Sequence, residues 1–262
     1  MPRGRRTYRE AMAISHVGRS VGPLVRDWRL RRRRSQMDLA LDVGVSPRHL
    51  SFVETGRSRP SPELVLALAD RLEVPLRERN TLLLSAGYAP RYPQTPLDHP
   101  EMTRARSALQ RMLDGHDPYP GAVIDRRWDV VLANDAARRL TASLPAELAG
   151  PPMNVFRACL HPDGLAGATL NFDEWAAYLL GQLHRLSTLS ADPEVCRLAE
   201  EVAQYPNVAA LRGWRPAPPP EEPVLLVPWR LSLGGTDLSL FTTLTTFGTP
   251  QDITLAELDL QV

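Results

Sequence analysis

Residues 35–75 read SQMDLALDVGVSPRHLSFVETGRSRPSPELVLALADRLEVP, and the small residues in this stretch decide the N-terminal fold. Ser35 caps a short helix from Gln36 to Val43, with Leu39, Ala40 and Val43 facing inward. Gly44 supplies the turn, because glycine takes positive φ without a steric penalty. Ser46 then caps a helix from Pro47 to about Glu54, with Pro47 at the tolerated first position. Leu50 and Val53 form its buried side. Two short helices joined by a glycine turn have the geometry of a helix-turn-helix. Ala40 is small where the helices cross, and Leu50 plugs the core.

Working outward, Leu24, Val25 and Trp28 make a helical stripe that runs into the arginines from Arg29 to Arg34. Residues 1–20 read as a basic arm. Downstream, Ser61 caps a helix that opens on Pro62 and carries Val65, Leu68, Ala69 and Leu72 on one face. A fifth helix follows Pro75 and stops at Gly87. Residues 21–92 are therefore expected to form an all-α, five-helix domain. The proline-rich stretch after Gly87 leads through a linker at 93–97 into a second domain at 98–262.

The second half changes character. Pro100 opens a helix with Met102, Ala105, Leu109 and Met112 on one side, and Ala122–Ile124 pairs with Trp128–Ala133 as a hairpin. A short helix starts at Asp135. Longer helices fit Phe172–Leu189 and the stretch from Pro193, with Val195, Leu198, Ala199 and Val202 on one face. Residues 215–223 are a proline loop. Three strands are expected after it. The first alternates through Val227, Trp229, Leu231 and Leu233, the second runs Leu238–Phe247, and the third runs Ile253–Val262. This half is expected to be α+β with an antiparallel sheet.

The net charge of +1 conceals an asymmetry. Residues 1–92 hold 18 Arg against 9 Asp and Glu, whereas residues 93–262 hold 13 Arg against 21. A basic half joined to an acidic one points to a polyanion-binding module carrying a second function. All 31 basic residues are arginine, which suits phosphate and guanine contacts. Two distant cysteines, Cys159 and Cys196, give no disulfide framework and no zinc site, so a reducing cytoplasm is expected. No apolar run reaches a membrane span, and no signal peptide is evident. GxSxG, Walker, GxGxxG, HExxH and CxxC motifs are all missing, and the six histidines are scattered. The expected protein is not an enzyme and holds no metal.

The quoted segment closely resembles the XRE-type, lambda-repressor-like helix-turn-helix domain. The matching marks are Gln36, Ala40, Gly44, Ser46, Leu50, Glu54, Gly56, Arg57 and Pro60. The stretches RERNTLLLSAGYAPRY and LFTTLTTFGTPQDITLAEL resemble MmyB-like regulators, which couple that domain to a PAS-like ligand-binding domain. Two departures stand out. Arg33-Arg34 occupies the place of a frequent Gly-Leu, and Pro47 that of a frequent Gln.

The resemblance implies a transcription regulator whose third helix enters the major groove of double-stranded DNA. Arg48 is the expected base reader, because a guanidinium pairs bidentately with guanine. Ser51, Phe52 and Pro47 are the other candidates for base contact, Phe52 against packing on the following loop. Gln36, Ser46, Arg57 and Arg59 are expected at phosphates. Glu54 is expected to pair with Arg29, and the rest of the arginine run to lie near the DNA. A homodimer is expected, since one such unit reads only a few base pairs.

For the second domain the resemblance implies a small lipophilic ligand, with fatty acids the suggested class. Phe156, Trp175, Leu179 and Leu183 are candidate lining from helices. Phe241, Thr243, Thr245 and Phe247 share one face of a strand by period two. Arg157 or His161 is placed to anchor a carboxylate. Plain core or turn positions are the competing reading for each of these. Related folds hold haem or flavin, but nothing specifies His161 or His184 as a haem ligand. A protein-interaction module without a cavity, or a fused enzyme domain, remains as the alternative.

Overall fold

The computed structural model describes residues 20–190, 192–211, 227–248 and 250–261. Residues 1–19 of the basic arm and the proline loop at 215–223 lie outside the described residues. The chain divides into two compact units, one of Met1–Thr95 with Thr249–Ala256 and one of Pro96–Gly248 with Glu257–Val262. A single cut after the linker does not reproduce this division, because a late segment belongs with the N-terminal unit.

The first unit contains α1 (Val21–Arg31), α2 (Gln36–Asp42), α3 (Pro47–Glu54), α4 (Pro62–Arg71) and α5 (Leu76–Ser85). Ser35, Ser46 and Ser61 cap α2, α3 and α4, each Oγ accepting from the backbone N–H three residues on, at 3.1–3.2 Å. Each such cap is worth about 1 kcal/mol. Gly44 sits at φ 72, which makes the turn between α2 and α3. Val25, Leu39, Ala40, Leu50, Val65, Leu68 and Ala69 are fully buried in one cluster. Gly22 sets the approach of α1 to α3, since a Cβ there would lie 2.4 Å from the Val53 carbonyl oxygen. The late segment adds a short helix, α13 (Ile253–Ala256), packed against α5.

The second unit opens with a 3-10 turn at Pro100–Met102 and α6 (Thr103–Asp114). Strands β1 (Ala122–Ile124) and β2 (Val130–Ala133) follow, then α7 (Asp135–Thr141), α8 (Ala146–Ala149) and α9 (Val155–Leu160). A second 3-10 turn at Leu165–Ala168 leads to α10 (Phe172–Ser190), α11 (Pro193–Ala203) and α12 (Pro206–Ala209). The chain closes with β3 (Trp229–Leu233), β4 (Thr236–Leu240), β5 (Leu244–Thr246) and β6 (Asp259–Gln261). The main sheet is antiparallel in the order β2-β1-β6-β5, and β3-β4 is a separate hairpin. An apolar cluster from α9, α10 and α11 carries Phe156, Leu160, Leu179, Leu183, Leu198 and Val202.

Three strand expectations are corrected. Leu238–Phe247 is two strands in different sheets, because the chain leaves β4 at Phe241 and re-forms pairs at Leu244 only with β6. Ile253–Val262 begins as a helix, since the Asp252 carboxylate accepts from Thr254 N–H (2.8 Å) and caps it; only Asp259–Gln261 is strand. Trp128 stands outside β2 with φ 64, a left-handed conformation that breaks the ladder.

Candidate functional site

Two regions concentrate the candidate residues, one in each unit. In the first, α3 presents Pro47 and Arg48 as exposed residues at its N-terminal end. The Arg48 guanidinium lies 5.4 Å from the centre of the Phe52 ring, and that of Arg57 lies 5.9 Å from it. Phe52 is half-buried beneath these two cations. Ser51 is half-buried on the same helix. Ser46 Oγ is occupied as the α3 cap, which leaves its hydroxyl hydrogen for an outside acceptor.

Beneath this face lies a polar lock. Arg29 Nε and Nη2 donate to the two Glu54 carboxylate oxygens at 2.6 and 2.8 Å, and both side chains are buried. The carboxylate hydrogen bond raises the Arg29 pKa still further. This is the pair expected from the sequence. Gln36 is drawn into it, donating from Nε2 to Glu54 Oε2 at 2.7 Å, rather than standing free at the helix end for phosphate.

Most of the other arginines are also committed within the protein. Arg59 corrects the phosphate role expected of it. Its Nε and Nη2 donate to the Ala86 and Gly87 carbonyls, and its guanidinium stacks 4.8 Å over Tyr88. Arg32 donates to the Leu72 and Glu73 carbonyls, Arg34 pairs with Asp42, and Arg31 stacks over Trp28. The arginine run therefore holds helix ends together more than it forms a free basic stripe. Arg48 and Arg57 remain the exposed cations flanking α3.

In the second unit a cavity of about 620 Å³ opens between the sheet, α7, α9 and the β3-β4 hairpin. Tyr119, Val130, Leu140, Val155, Ala158 and Trp229 are among the residues that line it. No Arg, Asp or Glu does so among the described residues. Cys159 lies on the wall, and burial pushes its thiol up to about 12, so it stays protonated and unreactive. Two buried asparagines tie neighbouring segments of this unit together. Asn134 accepts from Gly121 and Ala137 N–H and donates to the Leu113 and Tyr119 carbonyls. Asn154 donates to the Arg127 carbonyl and Asp129, and accepts from Phe156 N–H.

All four of Phe241, Thr243, Thr245 and Phe247 are exposed, and of these Phe241 and Thr243 line the cavity while Thr245 and Phe247 do not. The break after β4 explains the split, because the four residues do not share one strand face. Phe156, Trp175, Leu179 and Leu183 lie in the neighbouring helical core instead. Trp229 connects the two regions, lining the cavity while its ring stacks on Trp175 with centroids 5.3 Å apart. Arg157 is off the cavity and paired bidentately with Glu201 at 2.8 and 2.7 Å. That pair holds the Glu201 carboxyl below the usual range, and Tyr205 adds a third hydrogen bond. His161 packs edge-on against Tyr205. Neither Arg157 nor His161 is placed to anchor a ligand head group.

The cavity wall was hidden in sequence. Ala122, Val130, Ala158 and Leu240 come from four separate elements with no shared period. Beyond the period-two reading that named Phe241 and Thr243, only the alternation at Trp229 and Leu231 marked an inward face.

Residues 25–79 match a family model described as Helix-turn-helix, and residues 105–261 match one described as MmyB-like transcription regulator ligand binding domain. No curated protein matches this chain.

Proposed function

The chain belongs to the MmyB-like transcription regulators, and we propose that it reads specific DNA with Arg48 while an apolar ligand in its second unit sets its affinity. A helix-turn-helix joined to a ligand-binding domain makes a ligand-responsive transcription regulator. Arg48 reads guanine through O6 and N7, and stacking on Phe52 restricts its side chain before DNA arrives. Arg57 neutralises phosphate beside it. The protein acts as a homodimer, so that two α3 helices read paired half-sites.

The observation that carries the ligand reading is the mostly apolar wall of the 620 Å³ cavity, to which no Arg, Asp or Glu contributes among the described residues. Its volume falls within the ~300–1,000 Å³ of small-molecule sites. Fatty acids are the proposed class. The chain lies along Leu140, Val155 and Leu240, and the head group sits toward Thr242, Thr243 and Gln261. A solid interaction module would have no such space.

Native mass spectrometry of the purified protein, followed by denaturing extraction, tests this directly. The expected species is a dimer carrying a fatty-acid-sized mass. With saturated acids of increasing length, affinity should rise by up to ~0.8 kcal/mol per methylene until the cavity is full. Affinity independent of chain length would overturn the assignment. For the DNA half, Arg48→Ala should lose about 1–3 kcal/mol on a selected duplex and relax one base position. Arg57→Ala should weaken all duplexes alike.

A further inference from the structure

Strands β5 and β6 are paired neighbours, with Leu244 opposite Gln261 and Thr246 opposite Asp259. Their connection is no ordinary hairpin loop. Thr249–Ala256, within it, belongs to the helix-turn-helix unit. Its attachment there is specific. The Asp252 carboxylate, 7% exposed, accepts from Thr95 N–H at 3.1 Å and from Thr254 N–H at 2.8 Å. Ile253 N–H donates to the Pro93 carbonyl at 2.8 Å, Ile253 is buried, and α13 packs on α5. At the far ends of the same two strands, away from the connection, Gln261 and Thr243 stand on the cavity wall.

We infer that Pro250–Ala256 is a coupling strap, with Asp252 the residue that fastens it. It rests on the ligand-regulated reading above and adds the route. A ligand that shifts β5 against β6 pulls on both ends of a segment held against α5. A strap hydrogen-bonded at Asp252 and Ile253, with the Ile253 side chain buried, transmits displacement, whereas a slack linker of the same length would absorb it. Coupling of this kind is reciprocal, so DNA must also change the strands.

Reciprocity permits a test with DNA alone. The probe is a duplex selected from a random pool by the full chain, and the readout is amide hydrogen exchange in β5 and β6. In the parent protein, DNA should change exchange there by at least about 5-fold, the low end of allosteric coupling. Asp252→Asn keeps one oxygen to cap α13 but turns an amide N–H₂ toward the Thr95 N–H. Its DNA affinity should stay at the parent value while the exchange response falls below about 2-fold. A second variant inserts Gly-Ser-Gly after Gly248 and again after Ala256, which leaves the strap docked and its ends slack. It should lose the response likewise.

No response in the parent, or an undiminished response in both variants, overturns the inference. The ligand reading is tested separately with myristic acid and its methyl ester as probes of DNA affinity. If neither alters affinity but DNA still changes β5 and β6, the ligand class falls and the strap stands.

Discussion

Among the described residues, a bidentate arginine–glutamate pair is found in each unit, and the two have nearly the same geometry. Arg29 and Glu54 are joined at 2.6 and 2.8 Å, and Arg157 and Glu201 at 2.8 and 2.7 Å. Their surroundings differ. Side-chain exposure is 9% and 1% for the first pair against 39% and 41% for the second. Water screens the second pair and leaves it worth about 0–1 kcal/mol. The first pair is dry, so either partner alone becomes an uncompensated buried charge. Distances alone do not rank interactions; burial does.

The largest expected effect follows from that contrast. Glu54→Ala should cost about 3–5 kcal/mol in urea unfolding. Combining Arg29→Met with Glu54→Leu should recover most of the loss, since an apolar pair of similar volume is often neutral. A double variant as unstable as the single one would mean that Gln36, which also binds Glu54, needs the carboxylate itself.

Packing separates the units next. Ala40 is fully buried in the helical core, and Ala158 is buried on the cavity wall. Ala40→Leu should overpack the core and cost about 1–3 kcal/mol. Ala158→Leu should fill empty space, change stability little, and weaken myristic acid binding by roughly 10-fold or more, about 1.4 kcal/mol. Equal destabilisation by both substitutions would argue that the cavity closes in solution.

Backbone strain gives a smaller contrast. Arg33 and Trp128 both adopt left-handed conformations, at φ 52 and 64. Arg33 is exposed and occupies the place where related domains often have glycine. Arg33→Gly should stabilise the chain by about 0.5–1 kcal/mol, the strain relieved less the added unfolded-state entropy. Trp128→Gly should destabilise instead, because the ring stacks on Phe156 with centroids 4.5 Å apart. Melting temperatures of the two variants should move in opposite directions.

The smallest effect belongs to the exposed ion pair. Glu201→Ala should cost about 0.2–1 kcal/mol at neutral pH. Arg157 lowers the folded-state pKa of Glu201, so its contribution is present above the ordinary glutamate value of ~4.3 and lost as pH falls through the folded value. Unfolding curves of parent and variant should therefore converge on acidification. A gap that widens at low pH would contradict the assigned shift.

The helical unit was legible because its signals are local. Ser35, Ser46 and Ser61 lie within three residues of the groups they cap, and Gly44 makes its turn in place. The use of Gly22 was not legible, because the oxygen that excludes a side chain comes from Val53, a distant residue. Arg59 misled for the same reason: the carbonyls it binds are those of Ala86 and Gly87. In the second unit, apolar periodicity identified Trp175, Leu179 and Leu183 as inward-facing. It could not say whether inward meant core or cavity, since both demand the same residue types.

The sequence by itself determined the helix-turn-helix, its caps, the Arg29–Glu54 pair and the presence of an antiparallel sheet. Each follows from spacing along a helix or strand, or from a recognisable motif. Only the tertiary structure decided which arginines stay free, where the cavity lies and that the β5–β6 connection docks beside α5. Those outcomes depend on which distant donors and acceptors meet, and on the space left when separate elements pack together. Neither is written in the local periodicity of the chain.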